Sequence, residues 1–549
     1  MKKGKAPKLG KRAQALLNKQ DDNDAASKDP VTAEDFLEQG SIDEESGDRW
    51  LGSDLAKSLR FYQKAYTSYL RSIRLQSESN MDSYYNSARL LFQVYYQYFK
   101  TEGVNIYDLK NVEEALGGDD NSVVQNLANI ISAHETAMRV ANNLRAPVPL
   151  DLVFNTAVVY TEAIEVEQEN PNSNFNQLLE VTHQAQILFL NLLEQQVSEF
   201  QKFSQELKEV DYNDPYETPE VINSSEPHEQ SKQEEYTSDE VVQPVDILET
   251  ILASYRLVQA ILENVTDFTE QNPRVLELIN PLLSKSDEIA KTLIEEYSDL
   301  AANKNEMVSN ISEEQISELK VAKNYILGLT LNDFEQLFEL WANAELPNTS
   351  ERFMSAADNI QSLLDRNDLT LAFVNSSENL EAKSLFWKAL TSMSTNLKKA
   401  QDILNSLLTE KKKTPSGVDL GLGALVAQIS EVIIARADIE LQRCQVTGYE
   451  PAEKNAQILL QNSKTLLKNA MNIANTPGGL RERVAEKLQR EKKKVDAVIR
   501  LCVLEGKTSL QELDSILGRS KWTNELPSLV KLGYFDAFGI NNITIPRDF

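Results

Sequence analysis

Apolar residues along this chain recur at steps of three and four rather than two. From Ser53 to about Leu75, the positions Leu55, Leu59, Tyr62, Ala65, Tyr66, Tyr69, Leu70 and Ile73 fall on one face of an amphipathic helix, with Ser53 and Asp54 placed to cap its start. A second helix is predicted from Asp82 to Phe99, carrying Tyr84, Tyr85, Ala88, Leu91, Phe92, Tyr95 and Tyr98. The same period continues at roughly 121–143, 150–167 and 174–207. After an interruption it resumes at 244–270, 273–298, 312–328, 331–343, 350–365, 377–409, 421–445, 451–475, 479–505 and 508–518. Pro or Gly punctuates these segments at Asn272-Pro273, Leu346-Pro347, Lys411 to Gly417 and Thr476 to Gly479. No alternating polar and apolar run lies between them, so the expected fold class is all-α.

Charge divides the chain. Residues 2–19 are basic, and 21–48 then switch to Asp and Glu, so 1–45 reads as a disordered tail. Its block Lys2, Lys3, Lys5, Lys11 and Arg12 has the form of a nuclear localisation signal, or equally of a solvated or RNA-brushing tail. The stretch 208–243 gathers Asp211, Asp214, Glu217, Glu220, Glu234 and Glu235 among prolines, and reads as an acidic disordered linker. The expected organisation is thus a helical region over 46–207, the linker, a second helical region over 244–518, and a terminal cap or tail over 519–549.

Two helices share a short signature, Tyr85-Asn86-Ser87-Ala88 and Phe154-Asn155-Thr156-Ala157, with the Asn residues 69 positions apart. That spacing is close to twice the roughly 34-residue period of tetratricopeptide arrays. Ser58, Tyr62 and Ala65, like Ala185, Phe189 and Leu192, alternate small and aromatic residues at helical spacing, which lets helix pairs stack closely. On these residues the chain resembles the tetratricopeptide-repeat family over 53–99, 150–199 and 421–475, about a third of its length, although the family's Trp, Gly and closing Pro positions are mostly absent. The resemblance implies a helical-hairpin repeat solenoid, which the acidic linker would divide into two halves; an irregular solenoid of HEAT type fits the same periodicity, and a featureless helical bundle is the competing reading. The resemblance also implies a groove that binds other proteins, with Asn86 and Asn155, beside Tyr85 and Phe154, in the position that contacts a peptide main chain. The Lys and Arg clamp of chaperone-binding members is missing. A bond from each Asn to its own helix is the competing reading.

The residues offer little catalytic chemistry. His134, His183 and His228 show no ligand spacing, and Cys444 and Cys502 form neither a zinc motif nor a disulfide framework. Gly417 to Gly423 and Gly506-Lys507-Thr508-Ser509 lack the strand and glycine context of a phosphate loop. No enzyme, cofactor or metal site is expected. With no apolar stretch of membrane length and no apolar leader after the basic N-terminus, the chain is expected to be intracellular, cytoplasmic or nuclear.

A net charge of −28, from 84 acidic and 56 basic residues, opposes nucleic acid and favours partners with basic surfaces. The acid also serves solubility; the function that the tetratricopeptide resemblance implies is a non-enzymatic adaptor or scaffold that binds proteins in repeat grooves, with rim carboxylates selecting a basic partner. The alternatives are an acidic escort for a highly basic client such as a ribosomal protein or histone, and an RNA-associated factor. The latter would use the basic tail and the 481–494 segment, where Arg481, Arg483, Lys487, Arg490, Lys492, Lys493 and Lys494 stand together. An acidic patch elsewhere on the chain is a further possible mate for that segment. Trp522, Leu526, Leu529, Leu532, Tyr534, Phe535 and Phe538 mark the expected cap, or an exposed partner-binding segment.

Overall fold

The computed structural model describes residues 29–145, 148–170, 172–213, 241–298, 308–413, 421–507 and 509–523, together with 525 and 529. The basic block at Lys2 to Arg12, His228, and most of the acidic segment and C-terminal tail lie outside these residues. Among the described residues every element is helical, apart from a single parallel bridge between Ser298 and Ile311.

The long helices are α1 (Ala33–Leu51), α2 (Leu55–Leu75), α3 (Met81–Tyr95), α4 (Leu127–Asn143), α5 (Leu150–Val166) and α6 (Phe175–Asn213). They continue as α7 (Pro244–Glu263), α8 (Gln271–Tyr297), α9 (Glu313–Leu329), α10 (Phe334–Ala342) and α11 (Ser350–Arg366). A short α12 (Leu371–Ser376) precedes α13 (Leu380–Lys411), α14 (Leu422–Cys444), α15 (Glu450–Ala474) and α16 (Val484–Leu504), and the short α17 (Leu510–Ile516) and α18 (Arg519–Thr523) follow. Local chemistry sets many of the starts. Asp54 accepts from the Lys57 amide at 2.9 Å, Asn80 caps α3, and Ser312 and Gln315 form a capping box on α9. The α8 helix begins at Gln271, ahead of the expected break, because Pro273 sits in the first turn, where an amide has no helical partner to lose.

Three expected boundaries move. Residues 33–45, read as tail, are the body of α1. It opens on a Thr32–Asp35 capping box and buries Leu37, Gly40, Ser41, Glu44 and Gly47. The acidic segment also starts late, since α6 runs to Asn213 and 208–213 are helical, and it ends early, since Val242 is buried and Gln243 caps α7. Nor does the core divide there. The main apolar core runs from Ala157 to Leu529 on both sides of the segment, and a second core joins α1 to α4 and reaches Val159.

Packing follows sequence order. Each of α1 to α7 lies against the helix after it, as α9 does against α10, while α8 packs back on α6 and α7; α5, α7, α9, α11 and α13 each pack on the next in that series, with α14 on α13 and α16 on α14. The far end then returns to the near one. The Val484 amide donates to the Gly52 carbonyl at 3.0 Å, and Lys493 pairs with Glu102 at 2.7 Å. Gly103, at φ +84°, lies so close to the Leu488 backbone that a Cβ would not fit.

Candidate interaction groove

Two of the four residues expected to contact a partner, Tyr85 and Asn155, are buried inside the protein. The Asn155 side chain, 1% exposed, donates through Nδ2 to the Tyr85 hydroxyl at 3.0 Å, so the two signature motifs meet each other rather than a ligand. Tyr85 belongs to a small apolar cluster with Ala137, Ala141 and Leu152 that joins α3, α4 and α5. Phe154 packs against the main core and Asn86 is half-buried. The recurrence is real, and its work is to fasten helices: an Asn side chain in an apolar interior needs a polar partner, and Tyr85 supplies it.

Beside this lies a buried polar network that the sequence did not disclose. Arg89 on α3 pairs with Glu44 on α1 at 2.5 Å, with side chains 2% and 3% exposed. Glu44 also accepts from Tyr69 at 2.8 Å, and Asp48 from Tyr62 at 2.6 Å and Gln93 at 2.9 Å. Gly40 and Gly47 face the Tyr69 and Tyr62 rings, where any Cβ would overlap the ring edge. Burial raises the Asp48 carboxyl and drives the Tyr62 and Tyr69 hydroxyls well up, so the phenols stay protonated donors.

Much of the basic helix is likewise engaged within the chain. Arg490 bonds Glu482 and the Ala474 carbonyl, and Lys492 reaches Glu102, Asp496 and Glu525. Lys493 reaches Glu102 and Glu431, and Arg500 pairs with Asp438 at 3.1 Å. Of the seven cations of 481–494, Arg490, Lys492 and Lys493 thus have carboxylates of the same chain as mates, while Arg481 and Arg483 stay exposed, and the helix is a seam between the two ends. Burial, and then Glu525, pushes Asp496 up to about 7. Among the described residues no cluster of His, Cys, Asp and Glu is arranged to hold a metal, and no helix is long and apolar enough to cross a membrane. His134 is fully buried, with Nδ1 2.9 Å from the Ile130 carbonyl, which fixes the proton on Nδ1. Burial lowers its pKa to about 4.

One open feature has the makings of a binding site, a groove of about 760 Å³ between α10, α11 and α13. Its floor is a stripe of α13: Ser384, Trp387, Lys388, Thr391, Ser392, Thr395, Asn396 and Lys399, residues three or four apart and therefore on one face. Its walls carry Phe338, Trp341 and Phe353, and Tyr449 closes one side, its ring centroid 5.7 Å from that of Trp387. The α10 wall is fixed by Asn359, whose carbonyl oxygen accepts from Trp341 Nε1 at 2.9 Å while its amide donates to the Tyr325 carbonyl at 3.2 Å. Asn359 in turn fills the space left by the missing side chain of Gly328.

The charge of this groove is opposite to that of the protein. Its sixteen lining residues include Arg352, Lys388 and Lys399 and no Asp or Glu. Lys388 and Lys399 hold their ammonium groups 5.2 and 5.1 Å from the Phe338 and Phe353 ring centres. Lys388 also reaches Glu335, outside the lining, at 2.5 Å. The Arg352 guanidinium donates to the carbonyls of Trp341, Asn343 and Leu346 at 2.8 to 2.9 Å, a cation on the C-terminal end of α10, and its buried Nε–H has no partner. Burial lowers the Arg352 pKa. The sequence held a signal for this site: Trp341 and Trp387 are two of only four tryptophans, and the α13 face is free of acid. Periodicity alone marks 377–409 as a helix and does not say that one of its faces stays open.

A family description, the YNL193W C-terminal domain, matches residues 355–526, which include the groove floor and Tyr449 but not α10. The uncharacterized protein YNL193W of Saccharomyces cerevisiae (strain ATCC 204508 / S288c) is 24% identical over 510 residues, covering 84% of this chain and 87% of the yeast protein. No solved structure matches the chain.

Proposed function

We propose that this protein is a non-enzymatic scaffold, a solenoid of tetratricopeptide-like helix pairs that holds a segment of another protein in the groove between α10, α11 and α13. The observation that carries this reading is the groove itself, an aromatic-lined channel that stays open along successive turns of α13. Aromatic side chains bury much area at small entropic cost and are the usual anchors of protein interfaces. The packing of helices on neighbours near in sequence supports a repeat solenoid, although its two ends meet rather than standing apart. The groove lining departs from the expected acidic rim, so support for a basic client held there is lacking.

A photo-crosslinking residue at Thr395, on the groove floor, tests the proposal against one at Thr292, exposed on α8. In cells the Thr395 probe should yield discrete protein adducts that Trp387→Ala removes. Absence of such adducts, or the same set from Thr292, would overturn the assignment.

A further inference from the structure

We infer that the occupant of this groove is an acidic polypeptide segment with an apolar or aromatic anchor; this rests on the protein-binding reading above and names its partner chemistry. Two observations point the same way. In a chain with 84 acidic residues against 56 basic, the groove lining holds three cations and no carboxylate. A concave lining without acid in so acidic a chain is a place where an incoming carboxylate gains attraction, although Glu335 already shares Lys388 at its edge. Second, Lys399 is exposed and lies over the Phe353 ring with no ion pair among the described residues, so its charge remains available.

The alternative polyanion, single-stranded nucleic acid, also uses aromatic platforms and cations. It fits less well. Nucleic-acid affinity comes from neutralising many phosphates in succession, whereas here Lys388 is already shared with Glu335 and the protein as a whole carries −28. A peptide with a few acids and one large apolar side chain matches both the small number of cations and the apolar share of the lining, with Trp387 and Phe338 taking the anchor. The floor from Ser384 to Lys399 rises about 22 Å, the length of about seven residues of extended chain.

The test uses the full chain and fluorescein-labelled peptides of that length: one of Asp and Glu around a Trp-Leu pair, its counterpart with Lys in place of every acid, and a labelled oligouridylate. The acidic peptide should bind, and Lys399→Glu and Trp387→Ala, in variants whose melting curves match the wild type, should each weaken it about tenfold or more. Added salt should weaken the wild-type complex, and a charge reversal on the α8 surface, Lys291→Glu, should leave it unchanged. Acidic-peptide binding indifferent to both groove variants would overturn the inference. If the Lys peptide binds as well as the acidic one and depends on Trp387, selection for acid is wrong while the protein-binding groove survives. Oligouridylate that displaces the acidic peptide and shares its dependence on Lys399 would replace the inference with nucleic-acid binding. Failure of the acidic peptide alongside Thr395 adducts overturns only the partner chemistry; failure of both overturns the groove reading as well.

Discussion

At the scale of single residues, the N-terminal helices are held by contacts whose value depends on what they exclude. Gly47 and Gly40 would be poor choices in α1 on helix propensity alone, where Ala is better by about 1 kcal/mol. Packing reverses the sign, because a methyl at Gly47 meets the Tyr62 ring. Gly47→Ala is expected to destabilise the protein by about 1 to 3 kcal/mol in urea unfolding, despite its helical gain. Glu44→Gln should cost more, about 3 to 5 kcal/mol, since it strands Arg89 as a buried charge; removing both partners, as Glu44→Met with Arg89→Met, should cost much less than the single change. His134 gives a pH signature. Its folded pKa of about 4 lies below the ordinary histidine value of 6.5, so the unfolded chain binds the extra proton between those values and stability falls as pH drops through that window, by up to about 3 kcal/mol near pH 4. The stability difference between wild type and His134→Gln, measured at a series of pH values, should carry that slope.

At the scale of elements, α16 is where the sequence pattern misleads most. Its run of Lys and Arg has the composition of a nucleic-acid stripe, yet Glu102, Glu431, Asp438, Glu482 and Glu525 lie within reach of its cations. Glu102→Ala should therefore raise amide hydrogen exchange both in 484–504 and in the turn around Gly52 and Gly103, while α9 and α11 keep their protection. Asp496 acts with the opposite pH sense to His134. Its folded pKa, raised to about 7, means that the folded state retains a proton between about pH 4 and 7, so its contribution is lost as pH rises through that window. Asp496→Asn, facing Lys492, Lys493, Arg500 and Glu525, should compare more favourably with wild type at pH 8 than at pH 4.5. In α13, by contrast, one helix serves two environments: Phe386, Leu390, Met393 and Leu397 enter the core while Trp387, Thr391 and Lys399 border the groove.

At the scale of the whole molecule, order in sequence becomes order in space until the chain closes on itself through α16. That contact ties residues hundreds of positions apart, such as Gly52 to Val484 and Glu102 to Lys493, and it is the feature no local pattern announces. A truncation after residue 475 should consequently loosen α1 to α3 as well as the C-terminal end, seen as a lower melting temperature and earlier proteolysis near Gly52. An open-ended stack of helices would instead lose only its last members. The acidic segment near 214–240 is not the division of the protein, because α6 and α7 on either side of it share one core through Phe189, Phe200, Ile247 and Ile251.

Helical class, many of the helix starts and the acid-rich character were legible in the chain because they depend on neighbours three or four residues away: caps, prolines and the 3.6-residue period act locally. The Tyr/Phe-Asn-Ser/Thr-Ala recurrence was legible too, but its role was not. Whether Asn155 faces a ligand or Tyr85 is decided by which helix lies opposite, and that is a matter of packing. The same limit hid α1, whose glycines and acids read as disorder until Tyr62, Tyr69 and Arg89 are placed against them. It hid the groove as well. A stripe of Ser, Thr, Lys and Trp on α13 becomes a site only because α10 and α11 stand beside it without covering it, and side-chain chemistry within one helix cannot state what its neighbours leave open.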